Sequence, residues 1–142
     1  MANYDAGSVA NKSKRSARIF SDLNLDFQQN TATKDIQKIE DVEAVKRSVK
    51  NLVSLNFYEK PFHPEIGSNI RGLLFENITP QMSHAISKEI DNLIKNYEPR
   101  ARLVQIATMP QFDRNAYAAT ISFYVQNSSE RVTVESFLER LR

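Results

Sequence analysis

Thr79-Pro80-Gln81-Met82-Ser83-His84-Ala85-Ile86-Ser87-Lys88-Glu89-Ile90-Asp91-Asn92-Leu93-Ile94-Lys95-Asn96-Tyr97-Glu98-Pro99-Arg100 carries both ends of a helix and the point where the chain changes period. Thr79 has the side-chain oxygen an N-cap needs, and Pro80 suits the first helical position, where its missing N–H is no loss. Met82, Ala85, Ile86, Ile90, Leu93, Ile94 and Tyr97 recur at helical spacing along one face. Pro99 ends the helix, because the residue before a proline is driven out of the helical region. Beyond Arg100 the period falls to two. Residues 102–109 read as a strand, with Val104 and Ile106 on one face and Leu103 and Ala107 on the other. Pro110 and Asp113-Arg114-Asn115 form a turn, after which Tyr117, Ala119, Ile121, Phe123 and Val125 alternate with smaller or polar residues. That pattern is a β-hairpin with one strongly apolar face. After Asn127-Ser128-Ser129, Val132 and Val134 suggest a last strand. Val134, Phe137, Leu138 and Leu141 would also suit a helix; the strand is preferred.

Working back from Thr79, Ser68 can cap a short helix running to about Glu76 that buries Ile70, Leu73 and Leu74, with Phe75 a further candidate for burial. Gly72 inside it suggests the close approach of another segment. Lys60-Pro61-Phe62-His63-Pro64-Glu65-Ile66-Gly67 has two prolines that forbid a helix and require an extended, rigid loop. Val42, Val45, Val49, Leu52 and Val53 trace a helix from Asp41, its expected N-cap, to about Asn56, with Glu43 and Arg47 paired on the other face. Leu23, Leu25 and Phe27 alternate with Asn24 and Asp26, which predicts a half-buried strand followed by a polar loop over residues 28–34. Together these elements predict an α+β domain, with helices packed on one face of a small antiparallel sheet made of the C-terminal hairpin and an edge strand.

A chain of 142 residues is the size of one domain, and 41% hydrophobic with 25% charged residues is a globular composition. The complete absence of Cys removes disulfides, thiolate metal sites and a Cys nucleophile. His63 and His84 have no companions at metal-ligand spacing, and 3 glycines include no phosphate-cradling loop, so no metal or cofactor is expected. No apolar run approaches the roughly 20 residues of a membrane helix, and the first residues lack a signal-peptide core. Of the formal net charge of +2, the positive excess sits in residues 1–18, where Lys12, Lys14, Arg15 and Arg18 face only Asp5. Residues 1–18 are therefore expected as a flexible basic arm, and residues 19–142 as a single, slightly acidic domain without nucleic-acid, membrane or small-molecule partners.

Three segments together resemble one family. They are Lys60-Pro-Phe-His-Pro-Glu-Ile-Gly67, Leu74-Phe-Glu-Asn-Ile-Thr-Pro80 and Asn96-Tyr-Glu-Pro-Arg100. In this order and spacing they resemble the baseplate wedge subunit of contractile-tailed, T4-like phages. That family also includes the sheath-initiating baseplate component of type VI secretion systems and was once labelled lysozyme-like. The likeness covers residues 19–136, with Lys60 standing where an Arg is usual, Ile66 where an aromatic is usual and Tyr58 where a Gly often stands. The resemblance implies a structural subunit, not an enzyme. Glu98, Pro99 and Arg100 would dock on the helical core bundle of neighbouring wedge subunits, and the C-terminal sheet would template the first ring of tail sheath protein. Tail tube or hub proteins are further candidate partners. The implied location is the virion's tail baseplate, reached from the host cytoplasm during assembly.

Plainer readings stand beside these. Glu98 and Arg100 would form a local ion pair at a helix end, worth little by itself. Phe62, Pro64, Glu65 and Gly67 would form a rigid loop with Phe62 buried and Gly67 permitting the turn, and a partner contact only in second place. The alternative function is a baseplate-borne peptidoglycan hydrolase, which needs two carboxyl groups across the scissile bond, one with a raised pKa. Glu65, Glu76 and Glu98 are the candidates, yet their spacing forms no recognisable pair, and Arg100 should keep Glu98 ionised. The type VI counterpart is a third reading.

Overall fold

The computed structural model describes residues 20–126 and 128–139. The arm expected over residues 1–18 lies outside the described residues, as does Leu141. In chain order the elements are β1 (Ser21–Leu23), β2 (Lys38–Glu40), α1 (Asp41–Ser54), α2 (Ile70–Leu74), α3 (Pro80–Tyr97), β3 (Ala101–Gln111), a 3-10 turn (Phe112–Arg114), β4 (Ala116–Val125) and β5 (Arg131–Glu139). The last three strands form an antiparallel sheet in the order β3-β4-β5, and β1 and β2 pair as a separate ribbon. The α+β architecture is the expected one, with α3 packed on the sheet, and residues 131–139 are strand rather than helix.

Helix α3 begins and ends where its residues dictate. Thr79 Oγ1 accepts the Met82 N–H at 3.2 Å, Pro80 is the first helical residue and Tyr97 the last. Its stripe of Ile86, Ile90, Leu93 and Ile94 meets Val45, Val49 and Val53 of α1 and Tyr117, Ile121 and Phe123 of β4 in one core. Each such side chain contributes about 1.5–3 kcal/mol by leaving water. All five alternating residues of β4 from Tyr117 to Val125 are buried, and Val132, Val134 and Leu138 of β5 extend the same face.

Several expectations need correction. The alternation at Leu23, Leu25 and Phe27 does not make a half-buried strand: β1 stops at Leu23, and these side chains are 58%, 53% and 73% exposed. The buried residue is Asn24, whose Oδ1 accepts the Asp26 N–H at 3.0 Å while its carbonyl accepts the Phe27 N–H at 3.0 Å. This side-chain turn reverses the chain and leaves the apolar positions outside. Asp41 is not the residue before α1 but its first one. It ties the incoming chain to the helix: its N–H donates to the Phe20 carbonyl at 2.8 Å, and its Oδ1 accepts the Phe20 N–H at 3.3 Å. Glu43 pairs with Lys46 at 3.5 Å rather than with Arg47, which reaches Asp26.

Helix α2 starts after Asn69, and Ser68 is used elsewhere: its hydroxyl and its N–H both donate to the Leu55 carbonyl, at 3.4 and 3.1 Å. At Gly72 the atoms nearest to a Cβ would all belong to the Asn69 side chain, with Oδ1 at 2.4 Å, so the tightest neighbour is the residue that opens the helix, and its side chain is free to turn aside. In β3 the two faces are not those of strict alternation. Leu103 pairs with Phe123 and Gln105 with Ser122, leaving Val104 as an extra residue in a bulge. The bulge resets the phase, so Leu103 and Ile106 both pack on the core and Val104 is 48% exposed. Pro110 is not in the turn but paired with Tyr117 inside β3, an edge strand where a missing N–H leaves no ladder bond unmade.

Candidate functional site

Pro99 separates α3 from β3, so Glu98 and Arg100 flank a corner that cannot continue the helix. The corner is also bonded on both sides. The Glu98 N–H donates to Ile94 at 2.9 Å, and the Gln126 N–H donates to the Arg100 carbonyl at 2.9 Å. Glu98 is only 2% exposed. Arg100 grips its carboxylate with two parallel bonds, Nε to Oε1 at 2.6 Å and Nη2 to Oε2 at 2.8 Å. Ser48 of α1 donates its hydroxyl to the same Oε2. Burial pushes the Glu98 carboxyl up as the largest single effect, but the hydrogen bonds from Arg100 and Ser48 together with the guanidinium charge outweigh it. The group is held below its ordinary range, and the Glu98 bond raises Arg100 in turn.

The guanidinium does more than pair with Glu98. Its Nη1 lies 3.4 Å from Asp22 Oδ2 on β1, and its plane sits over the Phe20 ring at 5.4 Å. Arg100 thus links four segments: the chain before β1, β1 itself, α1 through Glu98 and Ser48, and the α3–β3 corner. The ion pair foreseen between Glu98 and Arg100 is present; Ser48, Asp22 and Phe20 are the members that sequence reasoning missed. Ser48 had left a trace, because it falls on the face of α1 between Val45 and Leu52, a polar residue in an apolar stripe. Asp22 and Phe20 left none. Asp22 and Ser48 also line a groove of about 610 Å³ between the β1–β2 ribbon and α1, walled by Leu23, Leu25, Ile39 and Leu52.

The second candidate loop differs from its expected packing. Phe62 is not buried but 97% exposed, and it adopts φ 66°. Tyr58, at φ 66°, is exposed as well. Left-handed backbone at a bulky residue costs roughly 1–2 kcal/mol, so the loop must be held from elsewhere. Glu59 does this from one side, accepting both the backbone and the side-chain N–H of Asn56 at 2.9 Å and pairing with Arg71 at 3.1 Å. Tyr97 does it from the other, donating its hydroxyl to the Glu65 carbonyl at 2.8 Å, so its role exceeds core packing. The Glu65 carboxylate faces His63 Nδ1 at 3.1 Å and is held below its ordinary range by its own backbone N–H and by His63. Pro64 accepts the Tyr58 N–H at 3.0 Å. Gly67 lets the chain lie against α1's exit: a Cβ there would sit 2.4 Å from the Asn56 carbonyl carbon. The loop and the Arg100 corner are separate features, though Lys60 and Ile66 of the loop line the same groove as Asp22 and Ser48.

Among the described residues no group of three or more His, Asp and Glu could hold a metal ion, and no helix is long and apolar enough to cross a membrane. Neither Glu65 nor Glu98 has the raised pKa of a general acid.

The family described as "Baseplate wedge protein gp25" matches residues 39–130. The baseplate wedge protein gp25 of Enterobacteria phage T4 is 24% identical over 115 residues, covering 81% of this chain and 86% of that protein. Among solved structures, a Geobacter sulfurreducens protein named as a tail lysozyme superposes with a TM-score of 0.64 at 18% identity, over 70% of this chain and 91% of that one. A chain of the anti-feeding prophage baseplate superposes with a TM-score of 0.60 at 20% identity, over 87% of both.

Proposed function

The chain belongs to the baseplate wedge protein gp25 family, and from that premise we propose that it docks on neighbouring wedge subunits at the corner built by Glu98, Pro99 and Arg100, with Arg100 and Pro99 as its contact surface, and templates the first ring of tail sheath. The observation that carries the docking role is the corner itself. A guanidinium clamped in two directions, 25% exposed and set beside a proline, presents a fixed surface that needs no ordering on binding. Glu98 is too buried to meet a partner and acts by positioning Arg100. The loop carrying Phe62 and Tyr58 adds exposed aromatic area, a second contact.

For the sheath, the two edges of the sheet are unequal. β3 is broken by the bulge at Val104 and by Pro110, both of which blunt strand pairing. β5 runs from Arg131 to Glu139 paired to β4 without a shift, so it is the edge that offers main-chain hydrogen bonds to a partner strand. The phage origin of the curated relative favours a phage tail over the secretion counterpart. In this reading the protein works in the baseplate of the virion. The hydrolase alternative draws only on a neighbour's name, and the paired, ionised state of Glu98 argues against it.

The test is co-purification with the neighbouring helical wedge subunits. Arg100→Ala by itself strands the Glu98 carboxylate in the interior, so the informative variant is Glu98→Gln with Arg100→Ala, checked for folding by circular dichroism. Capture by the wild type and loss in the folded double variant is expected. Equal capture would remove the docking role from this corner.

A further inference from the structure

The helices cover one face of the β3-β4-β5 sheet, and the cross-strand register orders the other into rows. The row nearest the Pro99 corner is Arg102, Tyr124 and Arg131, one residue from each strand. Both arginines are exposed, and Tyr124 between them is 37% exposed. Cross-strand neighbours normally offset one another's charge. Here two like charges bracket one aromatic ring, and among the described residues neither has a carboxylate partner. Two strand spacings put their backbones about 10 Å apart. This is near the screening length of physiological salt, so the repulsion is tolerable, but nothing within the fold rewards keeping both.

Two residues of the row, Arg102 and Tyr124, edge a hollow of about 720 Å³ that is also lined by Pro99, Arg100, Gln126 and Ser129. Arg100 is already committed to Glu98 and Asp22; among the described residues the side chains of Arg102 and Arg131 have no hydrogen-bond partner. The next row inward, Gln105, Ser122 and Thr133, is polar, with the Ser122 and Thr133 hydroxyls 3.3 Å apart. We propose that the Arg102–Tyr124–Arg131 row, with the hollow beside Pro99, is a docking surface for an acidic segment of another protein. The two guanidiniums would each take a carboxylate, and Tyr124 would supply apolar contact between them. Charge complementarity sets the chemistry of the occupant: planar five-donor forks suit carboxylates bidentately. The surface extends the docking corner and in that respect rests on the wedge reading, but it involves two side chains which that reading does not use.

The experiment uses the full chain and measures binding of a synthetic glutamate-rich peptide, its glutamine counterpart and a single-stranded oligonucleotide, at two salt concentrations. Arg102→Ala with Arg131→Ala is compared with Lys14→Ala and Arg15→Ala, which removes the same charge from the N-terminal segment. The expected result is salt-sensitive binding of the glutamate peptide, weakened about tenfold or more by the sheet variant and little by the control. Absence of binding, equal loss in both variants, or equal binding of the glutamine peptide would overturn the proposal. Tighter oligonucleotide binding through the same arginines would replace the acidic protein with a phosphate backbone. Wild-type self-association abolished by the sheet variant would replace it with a second copy. All of these outcomes leave the wedge co-purification result unaffected, so the two readings fail separately.

Discussion

Glu98 shows how one carboxylate can be both buried and charged. Removal from water favours its neutral form, and it stays ionised because two nitrogens of Arg100 and the Ser48 hydroxyl all donate to it. Its folded pKa therefore lies below the ordinary 4.5, and ionised Glu98 favours the folded state. That contribution is complete above about pH 4.5 and disappears as pH falls through the lower folded value. Glu98→Gln should lower the thermal midpoint at neutral pH and make its decline in acid shallower than the wild type's. Asp26 and Glu59 are also held low, by Arg47 and by Asn56, so the difference between the two profiles is what reports on Glu98. Parallel acid limbs would show that this carboxylate is not held. The pairing of Glu98 with Arg100 was legible two residues apart in the sequence. Burial of the pair was not, because it depends on α1 folding over it.

Among the elements, α3 and β4 follow their patterns and β3 does not. A perfect alternation put Val104 and Ile106 on one face, but one extra residue at Val104 lets Leu103 and Ile106 share the core. Nothing local marks a bulge, since any exposed β-branched residue can occupy one. Because Val104 is the unpaired residue, its deletion should restore regular alternation through Leu103, Gln105 and Ile106. The shortened chain is expected to fold with a thermal midpoint close to the wild type's. Its straightened β3 edge should also raise self-association, read by light scattering. Loss of folding would show that the bulge is required by the fold itself.

Across the molecule, α3 and the sheet form the body, and the β1–β2 ribbon is an attachment. The ribbon places no apolar side chain in the buried core; Phe20 just ahead of it packs partly against that core. What holds it is polar: Arg100 to Asp22, Arg47 to Asp26, and the reciprocal bonds between Phe20 and Asp41. Amide exchange should therefore be faster in residues 21–23 and 38–40 than in β4 and α3, and should quicken further in high salt, where exposed ion pairs are screened. Equal protection of ribbon and body would contradict this division. By itself the sequence determined the cap and stop of α3, the apolar face of β4, the class of the fold and the family resemblance. These depend on residues within a few positions of one another, where sterics and periodicity act directly. Tertiary structure decided that Phe62 faces solvent, that Asn24 rather than Leu23 is buried, and that Arg100 is a junction. At that junction Ser48 lies 50 residues from the Glu98 it bonds and Asp22 lies 78 from Arg100, and no local pattern encodes which distant side chain a folded chain will bring near.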